Sequence, residues 1–139
     1  MKYKIILGYL GLIPFIFFTF QPFFFDILTI DESYIFLVGY GAIIISFLGG
    51  MSWGWKTRND DKGKYIIGVV FSLFGFFLLS LSILNLTLSI LISALVFPSY
   101  FLIEIKYNRE VDENKYFNLR AILTLITSAC FLISYISFL

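Results

Sequence analysis

Long stretches of this chain carry no charged side chain, and they constrain its fold more than any other feature. From Tyr34 to Trp55, for example, 22 consecutive residues contain no Asp, Glu, Lys or Arg. An α-helix rises about 1.5 Å per residue, so a run of that length crosses a hydrocarbon core of roughly 30 Å. Because 60% of the residues are apolar and only 14% are charged, the composition lies far outside that of globular proteins. The chain is predicted to fold within a lipid bilayer.

Five such runs predict an all-α integral membrane bundle of five transmembrane helices, forming a single domain over residues 1–139. The predicted helices cover residues 5–25, 34–55, 65–84, 86–105 and 118–139. The third and fourth helices are joined by a tight turn at Asn85. The first run is longer than the apolar region of a signal peptide and lacks a small-residue cleavage site, so we expect it to be retained.

Positive charge predicts the orientation of this bundle. With the N-terminus inside, all ten Lys and Arg residues of the sequence fall on the inner side. They are Lys2, Lys4, Lys56, Arg58, Lys62, Lys64, Lys106, Arg109, Lys115 and Arg120. The outer side receives Asp26, Asp31 and Glu32. Because short cytoplasmic loops retain positive charge, we expect the N-terminus inside and the C-terminus outside.

Composition also removes several kinds of chemistry. The sequence has no histidine and a single cysteine, Cys130, so imidazole ligands, histidine acid–base catalysis and an internal disulfide are not available. We therefore expect no catalytic residue, no metal site and no cofactor. A net charge of +1 offers no basic surface for nucleic acid.

Small residues recur along the second predicted helix. Ala42, Ser46, Gly50 and Gly54 are spaced by four residues, and Gly49 adjoins them. Small side chains at this spacing let two helix backbones approach closely in a membrane. Such a stripe serves either packing within the chain or an interface with a second copy or another protein.

A polar cluster is expected at the inner ends of the helices. Counted by helical rise, Trp53, Glu104 and Arg120 lie at one depth, and Tyr116 lies close to them. We expect a Glu104–Arg120 ion pair capped by Trp53 through a cation–π contact. The alternative is that each charge reaches water or lipid phosphate separately. If the pair forms, exchanging the two charges should restore the stability that either single substitution loses.

Prolines and phenylalanines give further expectations. Pro14 and Pro98 are expected to kink the first and fourth helices, and Gln21-Pro22 to fray the outer end of the first. The phenylalanines, Phe15 among them, are expected to face lipid, or to contact a lipid or quinone-like partner nonspecifically, rather than to form a pocket.

Three motifs occur in order along nearly the whole chain. They are Leu10-Gly11-Leu12-Ile13-Pro14-Phe15, then Tyr40-Gly41-Ala42-x4-Phe47-Leu48-Gly49-Gly50-x2-Trp53-Gly54, and Tyr116-x2-Leu119-Arg120-x2-Leu123-Thr124. Together they resemble the uncharacterised bacterial and mitochondrial membrane protein family that includes transmembrane protein 69 (domain of unknown function 3429).

The resemblance implies which positions belong to the family pattern. These are Pro14, Tyr40, Gly41, Phe47, Gly49, Gly50, Trp53, Gly54, Tyr116 and Arg120. Glu104 stands where the family is expected to have aspartate, and Lys115 stands where members tend to have tryptophan. The resemblance implies a bacterial inner membrane or the mitochondrial inner membrane, and it supplies no activity.

The leading functional hypothesis is a non-enzymatic accessory or assembly subunit, in contact with the lipid bilayer and with other membrane subunits or copies of itself. It packs beside a larger membrane complex, for which a respiratory complex is the candidate. The alternative is a small homo-oligomeric transporter or channel, suggested by Pro98, Gly49-Gly50 and the Glu104/Arg120 layer. A lipid- or quinone-handling enzyme is the third reading, disfavoured by the lack of histidine and of mid-membrane carboxylates.

Overall fold

The computed structural model describes residues 2–57 and 62–139, and in these two ranges the chain forms only helices, turns and short connections. The six α-helices are α1 (Lys2–Leu10), α2 (Ile13–Phe24), α3 (Ile30–Met51), α4 (Gly63–Leu84), α5 (Leu86–Tyr107) and α6 (Asn114–Phe138). Short 3₁₀ turns follow α3 at Ser52–Gly54 and α5 at Arg109–Asp112. Arg58, one of the cations predicted on the inner side, lies outside the described residues.

These helices supply the five spans expected from the sequence. Within the described residues, five segments are long and apolar enough to cross a membrane. They are Lys2–Phe24, which combines α1 and α2, then Ile30–Gly54, Gly63–Leu84, Leu86–Tyr107 and Asn114–Phe138. The all-α class and the five apolar helices are thus confirmed.

Helix α3 begins earlier than the apolar pattern predicted, because a capping box forms ahead of it. The Thr29 hydroxyl accepts a hydrogen bond from the Glu32 backbone N–H (3.2 Å), and the Glu32 carboxylate accepts one from the Thr29 N–H (3.2 Å). These two bonds satisfy donors that the first turn of a helix leaves free. The first turn of the helix therefore consists mainly of polar residues, and the length of the apolar run does not predict where such a turn begins.

The first span is interrupted at Gly11–Leu12, just ahead of Pro14. The Leu12 N–H bonds to the carbonyl of Tyr9, three residues back, and regular α-helical bonding resumes with the Ile16 N–H bonded to the Leu12 carbonyl. Pro14 then lies in the first turn of α2, where a missing N–H costs nothing. The sequence predicted one helix over residues 5–25, whereas the structure has two.

The fraying expected at Gln21-Pro22 is wrong, because a side chain closes that end of the span. Helix α2 continues through Pro22 to Phe24. The Gln21 amide, which is 1% exposed, donates to the carbonyls of Phe25 (2.9 Å) and Leu28 (3.2 Å). A buried amide bonded to two loop carbonyls fixes the turn between α2 and α3.

Small residues let α3 and α4 pack more extensively than any other pair of helices. A Cβ added at Gly68 of α4 would come within 2.5 Å of the Gly49 carbonyl oxygen, and one added at Gly49 within 2.7 Å of the Gly68 carbonyl oxygen. Two turns further along α4, Gly75 lies against Ser46 and the backbone of Ala42. The two backbones therefore touch where side chains are absent.

The turn between α4 and α5 lies where the sequence placed it. Asn85 ends α4, and its side chain accepts a hydrogen bond from the Leu88 N–H (3.2 Å) at the start of α5. Helix α5 then continues through Pro98 to Tyr107 as one element. A kink at Pro98 stays a prediction.

Candidate functional site

Glu104 forms the centre of a polar cluster where α5 and α6 meet. Its side chain is 1% exposed. One carboxylate oxygen accepts a hydrogen bond from Arg120 Nε at 2.8 Å, and the other accepts one from the Tyr116 hydroxyl at 2.5 Å. The amide of Asn108 lies 3.4 Å from that second oxygen. Helical spacing explains the geometry, since Tyr116 and Arg120 are four residues apart on α6 and point the same way.

Arg120 uses only part of its guanidinium group in this cluster. Its side chain is 9% exposed, and its hydrogen bond to the described residues leaves from Nε. The rings of Tyr100 and Phe101 lie beside the guanidinium carbon at 6.0 Å and 5.9 Å. The two terminal Nη atoms have no acceptor among residues 2–57 and 62–139.

Asn108 joins the cluster to the loop that follows α3. Its side-chain oxygen accepts hydrogen bonds from the backbone N–H groups of Lys56 (3.3 Å) and Glu110 (3.2 Å). The Arg109 N–H donates to the Lys56 carbonyl at 2.7 Å. Sequence reasoning missed Asn108; its position between a helix end and a 3₁₀ turn, where Asn commonly caps, was the available signal.

Trp53 does not take the place expected for it. Its indole N–H donates to the Tyr65 carbonyl (3.2 Å), its ring packs edge-on to Tyr65, and it is 54% exposed. The predicted cation–π contact with Arg120 is therefore wrong. The error arose because depth was counted along an unbroken helix, whereas the 3₁₀ turn at Ser52–Gly54 changes the rotation per residue.

Trp55, two residues later, is the tryptophan that enters the core. It is 4% exposed and packs against Tyr100 with ring centroids 5.6 Å apart. Its indole Nε1 has no hydrogen-bond partner in the part of the chain that the structure describes. The Tyr100 hydroxyl donates to the Leu48 carbonyl at 2.5 Å, which ties α5 to α3.

The predicted small-residue stripe divides into two parts. Ala42, Ser46 and Gly49 face α4, whereas a Cβ at Gly50 or Gly54 would meet nothing within 4 Å. The cause is helical geometry, because each step of four residues turns the side chain about 40° beyond a full circle. Residues 50 and 54 have therefore rotated away from the interface that begins at residue 42.

A cavity of about 580 Å³ adjoins the polar cluster, with walls from α1, α2, α3, α5 and α6. At one end it is lined by Arg120, Asn108 and Trp55, and elsewhere its lining is mainly apolar. Phe15 lines it too and is 2% exposed. The expectation that this phenylalanine faces lipid is wrong, because its ring makes edge-to-face contacts with the rings of Tyr40, Phe97 and Phe131.

The cluster and cavity suit binding better than proton transfer. Both oxygens of Glu104 are engaged by donors and its side chain is 1% exposed, so a substrate would have little access to the carboxylate. Within 2–57 and 62–139, His, Cys, Asp and Glu form no group of three that could hold a metal ion. Among the described residues, the donors left free at the site include Arg120 Nη and Trp55 Nε1.

The fold and site together define a class: a multi-pass helical membrane protein with a buried ion pair at one end of the bundle and a cavity beside it. A family model described as protein of unknown function (DUF3429) matches residues 1–136. The chain belongs to that family. Comparisons with curated proteins and with solved structures find no match.

Proposed function

We propose that this chain is a non-enzymatic accessory or assembly subunit that packs against another membrane protein through the outward face of α3. The observation that carries the proposal is Gly50, which is exposed and has no atom within 4 Å of a built Cβ. Ile43 (66% exposed) and Phe47 (64% exposed) precede it on the same face. A small residue beside two bulky ones forms a notch in an apolar surface.

Membrane helices associate by close packing rather than by escape from water, so a glycine that no internal helix approaches is a natural point for an external one. The internal contact of α3 with α4 is already made by Ala42, Ser46 and Gly49. Gly50 adds nothing to it and, as a helical glycine, weakens α3. A partner helix would offset that cost, and a respiratory complex of an energy-transducing membrane is our candidate for the partner.

The homo-oligomeric transporter is the second candidate, and the geometry favours it less. Ion and substrate pathways usually carry ionisable groups that are free to bind their cargo. Here Glu104 is held by Arg120 and Tyr116. A second copy of this chain docked at Gly50 would favour the transporter.

Purification in mild detergent tests the accessory role. We expect the wild-type protein to co-purify with a different membrane protein in fixed stoichiometry, and Gly50→Leu to lose it because the new side chain fills the notch. Ser99→Leu is the matched control, since Ser99 is an exposed small residue on α5. Quantitative mass spectrometry of the three preparations provides the readout. A wild-type protein that purifies alone and folded would contradict the accessory role. Self-association of the wild type that Gly50→Leu abolishes would instead favour the homo-oligomeric transporter.

The orientation we propose has the N-terminus in the cytoplasm or matrix and the C-terminus on the opposite side, in a bacterial or mitochondrial inner membrane. Support comes from the order of the helices, since α1, α4 and α6 begin, and α3 and α5 end, in the segments that carry Lys and Arg. Asp31 belongs to the other end. Positive charge near short loops sets orientation.

Cysteine labelling tests this orientation. In a Cys130→Ala background, we expect Asp31→Cys to react with a membrane-impermeant maleimide added outside intact bacteria, and Asp112→Cys to react only after permeabilisation. Both positions are exposed. The opposite pattern would reverse the proposed topology.

A further inference from the structure

We infer that the cavity between α1, α2, α3, α5 and α6 binds a single phospholipid, with its phosphodiester on Arg120 and an acyl chain along the apolar walls. The site is centred on the polar cluster and shares only the wall residue Phe47 with the proposed Gly50 face, so different variants test the two proposals.

The first step is the state of Arg120. Its side chain is only 9% exposed and it lines the cavity. Of its three nitrogen atoms, Nε is the one that Glu104 engages. The guanidinium end therefore keeps two Nη groups whose N–H donors have no acceptor in the described chain. Such a pair of parallel donors matches two oxygens of a phosphate.

The second step is the charge around the site. Lys4 and Arg120 line the cavity, together with Glu110, whose carboxylate lies 3.7 Å from Lys56 Nζ. The negative charge of Glu104 neutralises that of Arg120, and the positive charge of Lys56 neutralises that of Glu110. The surplus charge is that of Lys4, which suits the single negative charge of a phosphodiester.

The third step is the depth of the site and the form of its walls. Arg120 lies six residues into α6, about 9 Å from its start at 1.5 Å per residue, at the end of the bundle that carries the Lys and Arg residues. Basic pockets between helices at that level bind lipid headgroups. Beyond Arg120 the lining includes Leu7, Phe15, Phe47 and Leu123, which offer an acyl chain apolar contact on several sides. A polar end joined to an apolar channel fits an amphipathic ligand.

Trp55 adds a second donor at the same end of the cavity. Its indole N–H is buried and has no partner within the described ranges. An unpaired buried donor is costly, and a glycerol ester or phosphate oxygen would satisfy it.

Native mass spectrometry of the detergent-purified protein tests the inference. We expect wild-type protein and the Ser99→Leu control to retain one phospholipid per chain. In the double variant Glu104→Gln/Arg120→Gln, which keeps two neutral amides able to bond to each other, we expect affinity for phosphatidylglycerol to fall at least about tenfold, since charge-assisted hydrogen bonds to the phosphate are lost.

A second variant and three ligands separate the explanations. Gly54 lines the cavity, its backbone has no positive φ, and a Cβ there meets nothing within 4 Å, so Gly54→Phe narrows the cavity without disturbing Arg120. The ligands are phosphatidylglycerol, diacylglycerol with the same chains, and inorganic phosphate, each followed by thermal stabilisation. We expect phosphatidylglycerol alone to stabilise the wild type, and Gly54→Phe to weaken that effect.

Several outcomes would overturn the inference. Equal stabilisation by diacylglycerol would remove the role of Arg120, and stabilisation by inorganic phosphate would assign the site to a small anion. Unchanged phospholipid occupancy in Gly54→Phe would place the lipid elsewhere on the surface. By contrast, loss of the protein partner in Gly50→Leu with lipid retained would support the inference, because it would show that lipid and partner bind at separate places.

Discussion

Glu104→Ala is expected to lower the free energy of unfolding by about 3–5 kcal/mol, the range for a buried ion pair that loses one member. The substitution leaves the Arg120 charge buried at 9% exposure, and it removes the acceptor of the Tyr116 hydroxyl and the Asn108 amide. Burying several unpaired donors costs more than the net worth of the bonds they made. Reversible unfolding of the purified protein in mixed micelles of sodium dodecyl sulfate and a mild detergent, followed by circular dichroism, gives the measurement.

Glu113→Ala is the matched control for this prediction. Glu113 is an exposed acidic residue before α6 whose side chain caps nothing, so its loss should change stability by no more than about 0.5 kcal/mol. Equal effects of the two substitutions would show that the Glu104 cluster contributes no stability.

The structure also alters what is expected of a charge reversal. The sequence suggested that Glu104→Arg with Arg120→Glu would restore stability in full. Tyr116 and Asn108, however, donate to the carboxylate at position 104, and an arginine there offers them no acceptor. We now expect the reversed pair to recover part of the loss from Glu104→Arg alone.

Much of the fold was predictable because the bilayer fixes the length and apolarity of each span. The hairpin at Asn85 and the five spans follow from those two constraints. The early start of α3 and the break at Gly11–Leu12 do not, since they depend on hydrogen bonds of Thr29 and on the placement of Pro14 within a first turn. Hydrophobic length carries no information about either.

The depth of the site residues along the helices was predictable, but the face of the helix from which each side chain points was not. Counting residues put Glu104 and Arg120 at one level, and the structure places them in contact. The same count put Trp53 beside them, whereas a 3₁₀ turn directs it to Tyr65 and brings Trp55 inside. Rotation about a helix axis changes by about 100° per residue, so one local irregularity moves a side chain to another face while barely changing its depth.

The helix partner of the small-residue stripe was missed for a related reason. Gly68, Ser72 and Gly75 of α4 meet the α3 residues, but their spacings of four and three lie within a run of phenylalanine and leucine. A stripe in one helix does not reveal which of the four other membrane spans it faces. Only the assembled bundle assigns it to α4.

A single substitution, glycine to alanine, is expected to have opposite effects at Gly68 and Gly50. In the absence of contacts, alanine stabilises a helix over glycine by roughly 1 kcal/mol. At Gly50 nothing lies within 4 Å of the new methyl group, so Gly50→Ala should raise the free energy of unfolding by up to that amount.

At Gly68 the methyl carbon would lie 2.5 Å from the Gly49 carbonyl oxygen, 2.6 Å from Trp53 Nε1 and 2.7 Å from Ser52 Oγ. Backbone must move to relieve the first of these contacts, so Gly68→Ala should lower stability by about 3 kcal/mol, at the upper end of the usual cost of overpacking.

Unfolding of both variants in the same mixed micelles measures the two effects with one method. Gly75→Ala provides a repeat of the test, because its Cβ would lie 2.7 Å from the Ala42 carbonyl oxygen and should also destabilise the bundle. Similar effects at Gly50 and Gly68 would mean that α3 and α4 can separate at little cost. A loss confined to Gly68 and Gly75 would instead show that backbone contact between these two helices holds the bundle together, with Gly50 left open for another chain.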